Sequence, residues 1–364
     1  IESAPSDANF IALLGSIVAR KGNLEESVSL LRRAIAIAPG NPNAQADLGT
    51  ALLNLGRAED ALRHLEKARS LSSADPSLLS KLAGAYQQTG DVDNANKVMA
   101  EAAILSPSQA KLDQATRLFV EGEFREAEKL AKELVRENPR DVNAALLLAR
   151  LAIKARCFKD AQELLERIIA LAPGFIAARH DLGTVLKETH KHEDAVDVLR
   201  EAVGIDVNNA LSHYYLGAAL AMAAKPREAV DSYQRAVELD PMLPGGHIGL
   251  GHVLKTVGNQ SAGIDAYKRA IELRPNYGET YYSLANLKTF RFSKDEIASM
   301  ESRLENENLP TDCRVHFAFA LAKAYEDEKN FDESFEHYAL ANQMHRETIA
   351  YDPVQTQVGH ERMR

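Results

Sequence analysis

The run Gly245-Gly246-His247-Ile248-Gly249-Leu250-Gly251 has the residue types of a phosphate-binding loop. Glycines let a backbone curl around a phosphate so that its N–H groups point inward. The spacing completes neither known device. A Walker loop reads Gly-x-x-x-x-Gly-Lys-Ser/Thr, and here Gly246 leads to Gly251-His252. A dinucleotide fingerprint follows a strand and ends on a third glycine, where this chain has Leu254. The second candidate, His190-Lys191-His192-Glu193-Asp194, gathers potential metal ligands. Zinc needs ligands that converge from a fixed spacing, and no helical His-x-x-x-His pair occurs here, so the cluster reads as a solvated turn. Cys157 and Cys313 are the only cysteines, far apart and without CxxC spacing, which gives neither a metal site nor a disulfide framework. No Ser-His-Asp or Cys-His arrangement emerges. No catalytic residue, cofactor or metal is assigned, and no enzymatic activity is expected of this chain.

The elements that carry these residues follow from a repeat. Gly15, Gly49, Ala83, Ala115, Ala149, Gly183, Gly217 and Gly251 are spaced by 34 residues, with one step of 32 between Ala83 and Ala115. Twelve residues after each comes Ser27, Ala61, Ala95, Ala127, Ala161, Ala195, Ala229 or Gly263. Seven further on stand Ala34, Ala68, Ala102, Ala202, Ala236 and Ala270, with Leu134 and Ile168 as exceptions. Pro39, Pro107, Pro139, Pro173, Pro241 and Pro275 close the repeats, while Ser73 and Val207 break that pattern. A fixed period of this size means stacked supersecondary units. Two antiparallel helices approach to about 8–10 Å only where side chains are small. The spacing therefore predicts that the small residue at the eighth place faces the one at the twentieth. Gly22, Gly56, Gly90, Gly122 and Gly258 fall just past the first helix, where a left-handed cap favours glycine. Asn41-Pro42 and Asp75-Pro76 put a capping side chain before a proline at the first helical position.

These small, small, small and proline places resemble the tetratricopeptide repeat (TPR) family, from Ala8 to Tyr277. The family's usual tryptophan is missing, since the chain has none. The resemblance implies an all-α fold, a right-handed superhelical solenoid of helix-turn-helix repeats with a divergent C-terminal cap. Eight repeats occupy 1–277, starting near 8, 42, 76, 108, 142, 176, 210 and 244. A divergent ninth follows at 278–312, a TPR-like helix pair at 313–348, and a linker or truncated edge at 349–364. In that family the first helices line the concave side. The fifth-place column reads His180, Tyr214, Ile248, Tyr282; the ninth Thr184, Ala218, His252, Asn286; the twelfth Lys187, Ala221, Lys255, Thr289. The implied partner is a peptide or protein held in this groove, with His180, Thr184, Lys187, Tyr214, Ile248, His252, Lys255, Tyr282 and Asn286 as the groove residues. Each of them, taken singly, is also what an ordinary solvent-facing helix position carries. The Lys-Asn carboxylate clamp of some chaperone-binding TPR domains is not reproduced. Neither is the asparagine ladder of glycosyltransferase arrays, since the sixth place holds Asp47, Lys81 and Asp181.

The clock stops after Leu284-Ala285. Ser293 and Glu296 form a predicted capping box opening a helix over roughly Lys294 to Glu305. Tyr281 to Phe292, with Glu296-Ile297-Ala298-Ser299-Met300, His316-Phe317-Ala318, Phe335, Tyr338 and Asn342, looks like a bacterial group in which a TPR array precedes a sulfotransferase domain. That resemblance implies an alternative role: a substrate-presenting or oligomerising arm whose catalytic domain lies outside this chain. The formal charge of −9 argues against a nucleic-acid partner, because such binders present basic stripes. No apolar run approaches the roughly 18 residues that span a bilayer. Ile1-Glu2-Ser3-Ala4-Pro5 reads neither as a signal peptide nor as a natural start, so a fragment or processed form is expected. The cysteine usage fits a reducing cytoplasm, and homo-oligomerisation stays open.

Overall fold

A computed structural model describes residues 7–20, 22–72, 75–287 and 289–348. Ile1 to Pro5, Ser73, Lys288 and the stretch 349–364 expected to be a linker lie outside the described residues. Every regular element among the described residues is a helix. The chain divides into two compact blocks, Ile1–Ala172 and Pro173–Arg364.

In the N-terminal block α1 (Ala8–Arg20) pairs with α2 (Leu24–Ile37), α3 (Pro42–Asn54) with α4 (Ala58–Leu71), and α5 (Pro76–Gln88) with α6 (Val92–Leu105). There follow α7 (Pro107–Glu121) with α8 (Phe124–Glu137) and α9 (Val142–Lys154) with α10 (Phe158–Leu171). In the C-terminal block α11 (Ile176–Glu188) pairs with α12 (His192–Ile205), α13 (Ala210–Met222) with α14 (Pro226–Leu239), and α15 (Pro244–Thr256) with α16 (Gln260–Leu273). The block closes with α17 (Gly278–Ala285), α18 (Lys294–Leu304), α19 (Thr311–Asp327) and α20 (Phe331–Thr348).

The pairing works through a notch. The small residue at the eighth place faces the small one at the twentieth, as its spacing predicts (a Cβ on Gly263 would lie 3.3 Å from the Gly251 carbonyl oxygen), and it also receives the large side chain at the twenty-fourth. A Cβ on Gly49 would lie 2.6 Å from Leu65, one on Gly183 2.6 Å from Leu199, and one on Gly251 2.6 Å from Tyr267. Helical side chains lean toward the N-terminus of their helix, so the twenty-fourth residue folds back over the level of the twentieth. The small twentieth residue brings the backbones close, and the twenty-fourth fills the space beside them. Leu65, Leu199 and Tyr267 are fully buried there. At the twenty-seventh place Ala34, Ala68, Ala202, Ala236 and Ala270 are fully buried, as are the larger Leu134 and Ile168.

First helices end on a residue with positive φ. Gly258 holds +87°, and so do three non-glycines at the same place in their repeats: Arg156 (59°), His190 (60°) and Ala224 (57°). Asn41 accepts from Ala44 N at 3.1 Å and Asp75 from Ser77 N at 3.0 Å, the caps their sequence context predicts. Pro107 departs from expectation. It opens α7 rather than merely closing the preceding repeat, and Ser106 is at once the residue that follows α6 and the residue that precedes α7, with no side-chain cap bond to α7. The missing two residues of the 32-residue step are the ones that elsewhere separate these two functions. At the C-terminal end Ser293 and Glu296 make the full capping box, at 3.3 and 2.7 Å. Phe290 and Leu287 fold back to bury Tyr267 and Leu284.

Candidate functional site

Three of the four glycines of α15 are seats for aromatic rings, and the fourth, Gly246, lies against Val237 and Leu243. Gly245 lies under Tyr214, Gly249 under Tyr233, and Gly251 under Tyr267. A Cβ at Gly245 would stand 3.2 Å from the Tyr214 ring. The run that resembles a phosphate loop is helical throughout, and its glycines let three tyrosines from α13, α14 and α16 lie against the helix backbone. The histidine-rich turn is also accounted for by packing. His190 holds the left-handed cap, Glu193 pairs with Lys225 of the next repeat at 2.5 Å, and the His190 and His192 rings stand edge to face at 5.8 Å. Among the described residues no three His, Cys, Asp or Glu side chains come together as a metal site.

The predicted groove residues of the C-terminal block fall into two environments. His180 is buried: its Nε2 is 2.8 Å from Ser212 Oγ, and its ring stacks on Tyr215 at 4.7 Å, which ties α11 to α13. Thr184 donates to the His180 carbonyl at 3.1 Å. Lys187 is half-buried, and burial holds its ammonium below the usual lysine range. The others are more open. Tyr214 is half-buried against Tyr215 and Tyr233, at 5.3 and 6.0 Å. Ile248 and His252 are half-buried on α15, while Lys255 and Asn286 are exposed. His252 Nδ1 is 2.8 Å from the Tyr267 hydroxyl. Burial pushes His252 below the ordinary imidazole range, against the carboxylate of Glu279 and with the help of Lys255. Tyr282 packs at a tilt against His316 at 5.6 Å and Phe319 at 5.7 Å, and Phe319 in turn meets Tyr338 at 6.3 Å. Glu279 accepts from the Tyr277 hydroxyl, and that bond, with burial, pushes the phenol up to about 12. Sequence reading did not single out Tyr215, Tyr233, Tyr267, Phe319 or Glu279, which stand outside the fifth, ninth and twelfth places.

A concavity lies in the N-terminal block, where no site residue is predicted. Contact layers join α1 to α3, α3 to α5 and α7 to α9, but none of that extent joins α5 to α7. The gap is a cleft of about 670 Å³. Ser80, Gly84 and Gln87 line it from α5, at the fifth, ninth and twelfth places, opposite Ala110, Thr116 and Arg117 of α7. The signal in the sequence is the 32-residue step.

Within each block, antiparallel helix pairs on a fixed period, each packed on its neighbours, define a helical-repeat solenoid. Models of the tetratricopeptide repeat match residues 19–63 and 118–182, residues 46–110 and 180–244, and residues 246–277. Together these spans cover well over half of the chain, and the chain belongs to the tetratricopeptide repeat family. No curated protein matches it. Among solved structures it is similar to a human IFIT1 dimer with m7Gppp-AAAA, at 14% identity and TM-score 0.56, over 94% of this chain and 91% of that one. It is also similar to a thermophilic TPR protein of Thermus thermophilus, at 22% identity and TM-score 0.43, over 48% of this chain and 94% of that one. MamA from Desulfovibrio magneticus RS-1 matches at 20% identity and TM-score 0.41, over 47% of this chain and 96% of that one. At these identities the likeness is one of fold alone. Among the described residues no helix is long and apolar enough to cross a membrane.

Proposed function

We propose that the array is a protein-interaction scaffold whose C-terminal block binds an extended peptide or protein segment along its first helices. Tyr214, Ile248, His252, Lys255, Tyr282 and Asn286 make the contacts, with Thr184 and Lys187 beside them on α11, while His180 holds α11 against α13. The observation that carries this reading is the row of half-buried aromatic and imidazole groups at matched repeat places, set against glycines and other rings. Rings fixed before binding lose little entropy on contact, and buried aromatic anchors carry a large share of interface energy. The formal charge of −9 favours a protein partner over nucleic acid, and the free cysteines suit a reducing cytoplasm. We assign no catalysis to the repeats.

The test is capture of a cellular partner by Ile248→Asp combined with Lys255→Glu. Lys255 is exposed and Ile248 half-buried on α15, so the thermal melt should stay near wild type. Partner recovery should fall about tenfold, the typical cost of a charge placed in an apolar contact. Unchanged recovery would move the interface to the second helices. A second reading, an arm that presents substrate to or oligomerises a sulfotransferase, is supported by the resemblance of Tyr281 to Phe292 and its companions to such fusion proteins. The natural sequence beyond Arg364 tests it: a strand followed by a Gly/Ser-rich phosphate loop is the expected outcome.

A further inference from the structure

The cleft between α5 and α7 exists because Ser106 and Pro107 each serve two helices, so the fourth repeat starts two residues early. Its floor is small and apolar: Ala83, Gly84, Ala102 and Ala110. A Cβ added to Gly84 would meet nothing within 4 Å. Two strong donors reach across the mouth from opposite walls and meet on one weak acceptor. Gln87 Nε2 donates to the Met99 thioether at 3.6 Å, and Arg117 Nη1 donates to the same sulfur at 3.7 Å. The other charges at the mouth are engaged, Lys111 with Glu137 at 2.7 Å and Asp113 with Gln109 at 2.8 Å. Arg117 has no carboxylate within ion-pair distance among the described residues. A thioether is a poor acceptor, and a charge-assisted bond from guanidinium to carboxylate is about twice as strong as a neutral one. The volume exceeds one large side chain, which suits an aliphatic group with a short length of its backbone.

We propose that this cleft binds an extended peptide segment in which an aliphatic residue adjoins an acidic one. The aliphatic side chain fills the space over Gly84 and Ala110. The neighbouring carboxylate draws Arg117 and Gln87 away from Met99. The proposal rests on the reading of the repeats as peptide binders but places a separate site in the N-terminal block.

The test uses the full chain and labelled dodecapeptides, acetylated and amidated at their ends, that hold a central Leu-Glu or Glu-Leu pair in a Gly/Ser background. Fluorescence anisotropy should give saturable binding that weakens about tenfold when Leu is replaced by Ala, the usual worth of an aliphatic group in a fitted pocket. Gly84→Leu plugs the cleft and should abolish binding while the circular dichroism melt stays the same or rises. Arg117→Met should remove the preference for Glu over Gln. Lack of saturable binding to wild type would overturn the proposal. Binding that survives both Gly84→Leu and Arg117→Met but falls with Ile248→Asp would also overturn it, and would leave the proposed function of the C-terminal block standing.

Discussion

His252 and His64 both reside where burial favours the neutral ring, each below the ordinary value of 6.5. As pH falls, the unfolded chain takes up these protons first. Their contribution to stability is therefore complete above about pH 6.5 and is lost as pH drops toward the folded values. The melting temperature should fall between about pH 7.5 and pH 5.5, and His252→Gln should flatten that slope; a slope unchanged by the substitution would mean that His252 does not titrate on unfolding. Glycine gives a second residue-scale contrast. Gly249→Ala gains about 1 kcal/mol of helix propensity, but its Cβ falls on the buried Tyr233 ring, where overpacking costs about 1–3 kcal/mol, so the net effect is destabilising. Gly84→Ala has open space and should stabilise by about 1 kcal/mol. Denaturant titrations of the two variants should shift in opposite directions. Two shifts of the same sign would contradict the packing described. The sequence exposes the unusual glycine content of α15 but not its cause. The tyrosines that need the space come from α13, α14 and α16, and only the fold shows which ring reaches which backbone.

At the scale of the element, local signals were the legible ones. The capping box at Ser293, the caps at Asn41 and Asp75, and the ends of most helices depend on residues a few positions apart, and they form where their spacing predicts. The pairing of eighth with twenty-fourth place was not legible, because it depends on how side chains lean across two helices. Neither was the conformation of Arg156, His190 and Ala224, whose residue types hide a left-handed site that five other repeats fill with glycine. That conformation costs an L-residue about 1–2 kcal/mol. Ala224→Gly should therefore raise stability by about 1 kcal/mol, despite the usual penalty for glycine, because the position lies past the end of α13. A lowered midpoint in a urea titration would show that the backbone there is not strained. The 32-residue step was plain in the sequence, but its consequence required knowing that one proline would both stop α6 and start α7.

Across the whole molecule, the fold class was legible because the repeat multiplies a weak signal. One helix pair with small residues at these places proves little, whereas the same places recurring along the chain specify stacking. The site was legible only in outline. Repeat places name candidate positions, yet His180 is committed to holding α11 against α13, while Lys255 on α15 and Asn286 at the end of α17 stand exposed. The central claim is that partners dock on the first helices of the C-terminal block. It is tested most directly by placing a photo-crosslinking amino acid in turn at Lys255, at Asn286, and at Asp231 and Glu238 on the second helix α14. All four positions accept a large side chain, since Lys255, Asn286, Asp231 and Glu238 lie at or near the surface. Irradiation in cell extract should give the same covalent adduct from positions 255 and 286 and none from 231 and 238. An adduct formed from α14 but not from α15 or the end of α17 would contradict the account.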